Sequence, residues 1–230
     1  MSLGQTQIGA TGERYDSQPY QGVPQTIKDM RALVHMALQK EHDPALRQLV
    51  ESIIAQVTPK DYLSEIAACY YYVTKNVRYT RDPLHVERVQ HPFYTLVPTP
   101  NDRADGRRGR QADCDCAATT LAAMIMVIGN AAEFVTISTD ASRGFHHVFV
   151  AAPIHGRRIV LDPVPGPHVA DMLRHVQRYQ AWPIEPVRRP GVAGWVAAAA
   201  PMLGALPAIV WPPPVSGWTA ASTPMLGLRA

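Results

Sequence analysis

A cysteine flanked by two aspartates stands in the segment ADCDC at residues 112–116, directly before a run of small and apolar residues. That run, from Cys116 to Ile128, predicts a buried helix that is closed by a Gly-Asn pair. A thiol at a helix N-terminus feels the positive end of the backbone dipole, which favours the thiolate over the thiol. Cys114 is therefore a candidate nucleophile.

A histidine and an aspartate further along the chain have the right types to complete this chemistry. His147 opens a predicted strand, and Asp162 ends the strand that follows it. Adjacent antiparallel strands can bring two such residues side by side, with His147 facing the start of the helix. We therefore expect Cys114 as nucleophile, His147 as general base and acid, and Asp162 as the group that fixes the imidazole tautomer.

Two other interpretations use the same residues. Cys114, Cys116, His146 and His147 offer the atoms that zinc prefers, but their spacing is not a standard zinc motif, and the neighbouring aspartates do not help a sulfur site. Cys114 could also be a small buried residue of the core, against which its two flanking aspartates argue. The nucleophile hypothesis, which we favour, requires no metal and no cofactor.

Four further residues have expected places in or near this site. Cys116 is expected to face the core, and His146 is expected to point away from its neighbour because strand side chains alternate. Cys69, which lies on an apolar predicted helix, is expected to pack in the core. Gln90 is the candidate for the side-chain donor that would stabilise an oxyanion together with the backbone N–H of the nucleophile.

The elements that would position these residues follow from the periodicity of apolar side chains. Three helices are predicted in the first half of the chain, with starts at Thr26, at Pro44 and near Asp61. Three β-rich runs follow the buried helix, at residues 133–138, 147–151 and 158–162. One more helix is predicted over residues 168–179. The expected fold is α+β, with a helical N-terminal half packed with an antiparallel sheet.

Composition divides the chain into a polar extended arm at residues 1–24, a domain at 25–180 and a Pro/Ala-rich tail at 181–230. Within the tail, residues 194–204 and 217–227 are two copies of a GW…PMLG motif. An aromatic anchor beside rigid apolar residues is typical of protein interfaces. We therefore expect these copies to be docking motifs that bind a repeated protein partner.

Charge and hydropathy argue against two classes of partner. No charged residue occurs in 191–228, but Pro201 and Pro207 would interrupt a membrane-spanning helix, so a membrane partner is not expected. The net charge of +3 is too small to indicate a nucleic-acid binder. The arginine-rich residues 103–110 lack interleaved aromatic residues, and we expect a solvated loop that favours an acidic substrate.

The Asp-Cys-Asp motif, the histidine that begins a strand and the Asp-Pro ending together resemble the transglutaminase-like superfamily, a branch of the papain-like cysteine enzymes. The resemblance covers roughly residues 61–163, in which Ala112 replaces the family's glycine and Cys116 its second aspartate. This chain also contains residues that resemble the stretch before the motif in phage-encoded members, namely Tyr79, Asp82-Pro83, Glu87 and Gln90-His91-Pro92. The resemblance implies a papain-like fold and acyl transfer or amide hydrolysis on a protein or peptide substrate.

A second hypothesis belongs to another class of function. The phage-type resemblance and the long apolar tail are also expected of a structural or assembly protein of a bacteriophage virion, which would keep the fold and dock through its tail.

The apolar content of 47% excludes wholesale disorder. The three cysteines form no disulfide framework and the first thirty residues show no secretory signal, so the expected location is the cytoplasm of the producing cell or a virion.

Overall fold

The computed structural model describes residues 6–8, 14–19, 22–39, 44–82, 86–96, 111–164 and 172–186. The predictions for the loop at 103–110 and for the repeats at 194–204 and 217–227 lie outside these residues. Within the described ranges, no helix has both the length and the apolar character needed to cross a membrane.

The described elements comprise five helices and nine strands. In chain order they are β1 (Thr6–Ile8), β2 (Arg14–Pro19), α1 (Val23–Leu38), α2 (Pro44–Ile54), α3 (Tyr62–Asn76), β3 (Arg78–Tyr79), β4 (Val86–Gln90), α4 (Pro92–Leu96), β5 (Gln111–Ala112), α5 (Cys114–Val127), β6 (Glu133–Ser138), β7 (His147–Ile154), β8 (Arg157–Leu161) and β9 (Arg178–Pro183). The three helices predicted for the first half of the chain correspond to α1, α2 and α3.

The start of α1 differs from its predicted position. The helix begins at Val23, after Gly22, which serves as the N-cap with a φ of 98° that glycine adopts without strain. Pro24 lies in the first turn, where the missing N–H costs nothing. The prediction that this helix starts at Thr26 is therefore wrong by three residues. The Thr26 hydroxyl donates a hydrogen bond to the Glu87 carboxylate at 3.1 Å, which ties α1 to β4.

Helix α5 lies at the centre of the molecule. Nearly all of its side chains are buried, and it packs against α1, α3, α4 and β7. Strands β6 to β9 form a four-stranded antiparallel sheet in the order β8-β7-β6-β9. The predictions of an α+β architecture and of an antiparallel sheet packed on a buried helix are confirmed.

The predicted helix over residues 168–179 is wrong at its end. Residues 178–183 form β9, which pairs antiparallel with β6 along six residues. In the described part of that range, helical backbone is confined to Met172 and Leu173. Pairing with a distant strand satisfies the backbone hydrogen bonds of this segment, and this tertiary interaction overrides the local helical pattern.

Two smaller sheets surround the start of α5. Strands β1 and β2, which come from the expected polar arm, pair antiparallel with each other, and β2 pairs antiparallel with β4. Strand β5 pairs parallel with β3, and the Thr80 N–H donates to the Ala112 carbonyl at 2.9 Å. These bonds fix the chain immediately before Cys114.

Candidate active site

Cys114 is the first residue of α5, two positions earlier than the predicted start of that helix. Asp113 is the N-cap, and its carboxylate accepts a hydrogen bond from the backbone N–H of Cys116 at 3.2 Å. The Cys114 side chain is half-buried. It therefore lies in the first turn, where backbone N–H groups lack intrahelical partners and favour negative charge.

His147 and Asp162 are brought together by the pairing of β7 with β8. The register joins Val150 to Leu161, so Asp162, one residue beyond the ladder, falls opposite Phe149. Phe149 and His147 lie on the same face of β7 because side chains alternate along a strand. The His147 Nε2 is 2.8 Å from Oδ2 of Asp162, and the other carboxylate oxygen accepts from the Val164 N–H at 3.0 Å. The carboxylate is thereby fixed in place.

The ring of His147 also forms a hydrogen bond with the Cys114 side chain. Because Nε2 faces Asp162, Nδ1 is the nitrogen available to the thiol. Burial alone would lower the pKa of His147, but hydrogen bonds to Asp162 and Cys114, together with their negative charges, raise that pKa from 6.5 to about 10. The surroundings of His147 therefore favour the protonated, imidazolium form of its ring.

The two remaining cysteines are buried in the core. The Cys116 thiol donates a hydrogen bond to the Arg88 carbonyl at 2.9 Å, and its sulfur accepts one from the Gln90 N–H at 3.2 Å. Burial, with the nearby carboxylates of Asp115 and Asp113, raises the pKa of Cys116 well above its usual value. Burial, followed by the charge of Glu65, raises the pKa of Cys69 to about 12. Both groups are therefore held as neutral thiols.

This difference predicts the stoichiometry of thiol modification in the native protein. We expect iodoacetamide at pH 7 to label Cys114 and to leave Cys69 and Cys116 unlabelled, because only thiolates react and both of these thiols are buried and neutral. In guanidinium chloride all three cysteines should react. Peptide mapping by mass spectrometry measures this, and native labelling of Cys69 at a rate comparable with Cys114 would contradict it.

Two predicted neighbours of the nucleophile have different surroundings. His146 is exposed, and its Nε2 lies 3.4 Å from the Thr139 hydroxyl. The Gln90 side chain donates to the Gln111 carbonyl at 3.5 Å and is not among the described residues that line the cleft beside Cys114. The structure therefore offers no support for Gln90 as an oxyanion donor.

A zinc site of Cys114, Cys116, His146 and His147 is not formed by the described residues. The group of potential ligands that does meet consists of Asp113, Asp115 and Cys116, whose donor atoms lie within 4.8 Å of one another. Cys116 uses its proton in the hydrogen bond to Arg88, so its sulfur is a thiol rather than the thiolate that binds metals. The chemistry of these three groups therefore does not fit a metal-binding site.

A cleft of about 270 Å³ opens beside Cys114 and His147. Helix α1 contributes apolar side chains to the cleft, and Glu87, which is hydrogen-bonded to Thr26 of the same helix, contributes a carboxyl group. The lining residues are Val23, Thr26, Ile27, Met30, Glu87, Asp113, Cys114, Asp115, Thr136, Phe145, His146, His147 and Val148. The contribution of α1 was missed by sequence reasoning, because apolar residues at helical spacing predict core packing and do not distinguish a cleft wall.

No model of a protein family matches the sequence. No curated protein matches it either. A crystal structure from Cytophaga hutchinsonii, described as a candidate cysteine protease, is similar over 65% of this chain at 16% identity and a TM-score of 0.37. The match covers 49% of that protein, so this chain spans about half of its length.

Proposed function

We propose that the protein is a papain-like cysteine enzyme of the transglutaminase-like type, which performs acyl transfer or amide hydrolysis on a protein or peptide. Cys114 is the nucleophile, His147 the general acid and base, and Asp162 the residue that orients the ring. The observation that carries this proposal is the position of the His147 ring, which is hydrogen-bonded to Cys114 on one side and to Asp162 at 2.8 Å on the other.

In the first half of the reaction, the Cys114 thiolate attacks the carbonyl carbon of an amide and forms a C–S bond. The negative charge that develops on the carbonyl oxygen is stabilised by backbone N–H groups at the start of α5. The imidazolium ring of His147 then donates the proton on its Nδ1 to the amide nitrogen, and the C–N bond breaks. The products of this half are a free amine and a thioester on Cys114.

In the second half, neutral His147 removes a proton from water or from an acceptor amine. The resulting nucleophile attacks the thioester, the C–S bond breaks, and the Cys114 thiolate is restored beside an imidazolium. Water gives a carboxylic acid, whereas an amine gives a new amide. Asp162 keeps its negative charge throughout and holds the proton on Nε2, so that Nδ1 alternates between donor and acceptor.

The experiment that tests this proposal is the trapping of an acyl-enzyme with an activated ester. We expect p-nitrophenyl acetate to release a burst of nitrophenolate and to leave an acetyl group on Cys114, because attack on an activated ester requires only the nucleophile and its base. Cys114→Ala should abolish the burst. Cys69→Ala, which removes a buried thiol, is the matched control and should keep it.

Acetyl groups found only on lysines, with an equal burst in Cys114→Ala, would contradict the proposed nucleophile. The docking role of the two GW…PMLG copies stays a prediction because both copies lie outside the described ranges. The assembly role in a virion also stays a prediction.

A further inference from the structure

Three carboxyl groups meet where α5 begins. Asp115 follows the proposed nucleophile and is only 3% exposed. The carboxyl groups of Asp115 and Asp113 have oxygens within 4.8 Å of each other, and both accept a hydrogen bond from the backbone N–H of Cys116. The side chains of Asp113 and Glu87 are hydrogen-bonded to Asp115. Glu87 comes from β4 and also accepts the Thr26 hydroxyl of α1. The cluster therefore links the start of α5 to two other elements.

Carboxyl groups in hydrogen-bond contact cannot all be ionised, because an oxygen–oxygen hydrogen bond requires a proton and two carboxylates repel each other. A proton held within the cluster would relieve this repulsion and supply the hydrogen bond. Asp113 has the capping role of an acceptor and Glu87 accepts from Thr26, and both are less buried than Asp115. Desolvation disfavours the charged form most strongly at Asp115.

The charged surroundings of Asp115 favour the same assignment. The groups that act most strongly on it are Asp113, Cys114 and Glu87, all of which are acids. One more acid, Asp82, lies near Asp113, and the cation that acts on Asp82 is Arg88. Burial, then hydrogen bonds and charge from Asp113, raise the pKa of Asp115 well above its usual value.

We propose that Asp115 is a neutral carboxylic acid that shares its proton with Asp113 and Glu87, and that it thereby positions Cys114 without placing another negative charge beside the thiolate. The positioning role rests on the proposed function, whereas the protonation of Asp115 does not. Asp115 is a positioning residue, since it acts through the first turn of α5 and not on the substrate.

The proposal has a consequence for stability with a definite sign. The folded-state pKa of Asp115 is raised above the value of about 3.9 in an unfolded chain. The stability contributed by this group is therefore complete below pH 4 and is lost as the pH rises toward the folded-state pKa. Asn has the same shape, donates an N–H and cannot ionise, so Asp115→Asn removes this loss.

The test is the melting temperature of the full chain between pH 4 and pH 8. We expect Asp115→Asn and the wild type to melt at similar temperatures at pH 4, and the variant to become the more stable by several degrees at pH 8. Asp61→Asn is the matched control at a helix N-terminus, where hydrogen bonds from Ser64 lower the pKa of Asp61. The difference in melting temperature between Asp61→Asn and the wild type should have the opposite sign, with the variant less stable, and should increase toward neutral pH.

A stability difference for Asp115→Asn that has the sign of Asp61→Asn would overturn the proposal. Should the variant not fold, carbon NMR of wild-type protein labelled at the aspartate carboxyl carbons gives the answer. A protonated aspartate resonance should persist at pH 8, where Asp82, whose pKa burial and Asp113 raise to about 7, is mostly ionised. The absence of such a resonance would also overturn the proposal.

The positioning role has its own measurement, the alkylation rate of Cys114 at pH 7. Asp115→Asn should react at least ten times faster than Asp115→Ala, because only Asn keeps hydrogen bonds to Asp113 and Glu87. Equal rates in the two variants would overturn the positioning role. An unreactive Cys114 in the wild type would instead reject the proposed function, and the melting experiment would still report on the proton of Asp115.

Discussion

Replacing His147 with alanine should slow the alkylation of Cys114 about a hundredfold at pH 6. An ordinary thiol with a pKa of about 8.5 is a thiolate in roughly one molecule in 300 at that pH. An imidazolium whose pKa is raised to about 10 stays charged at pH 6 and stabilises the thiolate, so removing it returns Cys114 to ordinary behaviour. Iodoacetamide rates measured by peptide mapping from pH 5 to pH 10 test this expectation.

The two proteins should converge as the pH approaches 9, where an unassisted thiol ionises by itself. His175→Ala is the matched control, because the His175 ring is exposed and is not among the residues that line the cleft. It should behave like the wild type at every pH. Equal rates for His147→Ala and the wild type at pH 6 would remove the argument for a thiolate–imidazolium pair.

Asp162→Asn should reduce the rate of Cys114 acetylation by between a hundredfold and ten-thousandfold. The Asn oxygen can accept the Val164 N–H as Asp162 does, which leaves the amide N–H₂ facing Nε2 of His147. Nε2 must then accept, so the ring proton resides on Nδ1 and the ring cannot take the thiol proton. Burst kinetics with p-nitrophenyl acetate measure this effect.

Asp140→Asn is the control for this variant, because the Asp140 side chain is 45% exposed and accepts a hydrogen bond from the Ser142 hydroxyl. It should leave the burst unchanged. Asp162→Ala separates the tautomer from the charge: it removes the carboxylate without offering a competing donor, and should be less damaging than Asp162→Asn. A wild-type burst in Asp162→Asn would contradict the orienting role of the carboxylate.

The proximity of Cys114, His147 and Asp162 follows from local signals in the sequence. An aspartate before a run of small apolar residues marks a helix start, and a histidine before alternating apolar residues marks a strand start. An aspartate before proline marks the end of the next strand. Each signal marks the terminus of one helix or strand. Antiparallel pairing of the two strands is therefore enough to bring His147 and Asp162 together. Their catalytic roles stay predictions.

The rest of the site depends on contacts that no local pattern encodes. Thr26 and Glu87 are hydrogen-bonded although 61 residues separate them, and Glu87 reaches Asp115 only because β4 lies beside the start of α5. The sequence shows an aspartate on a helix but not the two carboxyls that it meets. Strand β9 was missed for the same reason, since its pairing with β6 is what makes it a strand.

The charge of the His147 ring is the central claim, and NMR of its imidazole reports that charge directly. In the wild type we expect the ring to titrate near pH 10, as an imidazolium held by Asp162 and the Cys114 thiolate. In Cys114→Ala one of the two negative partners is gone, so the midpoint should fall by at least one pH unit. A wild-type midpoint near 6.5 that Cys114→Ala leaves unchanged would contradict the account.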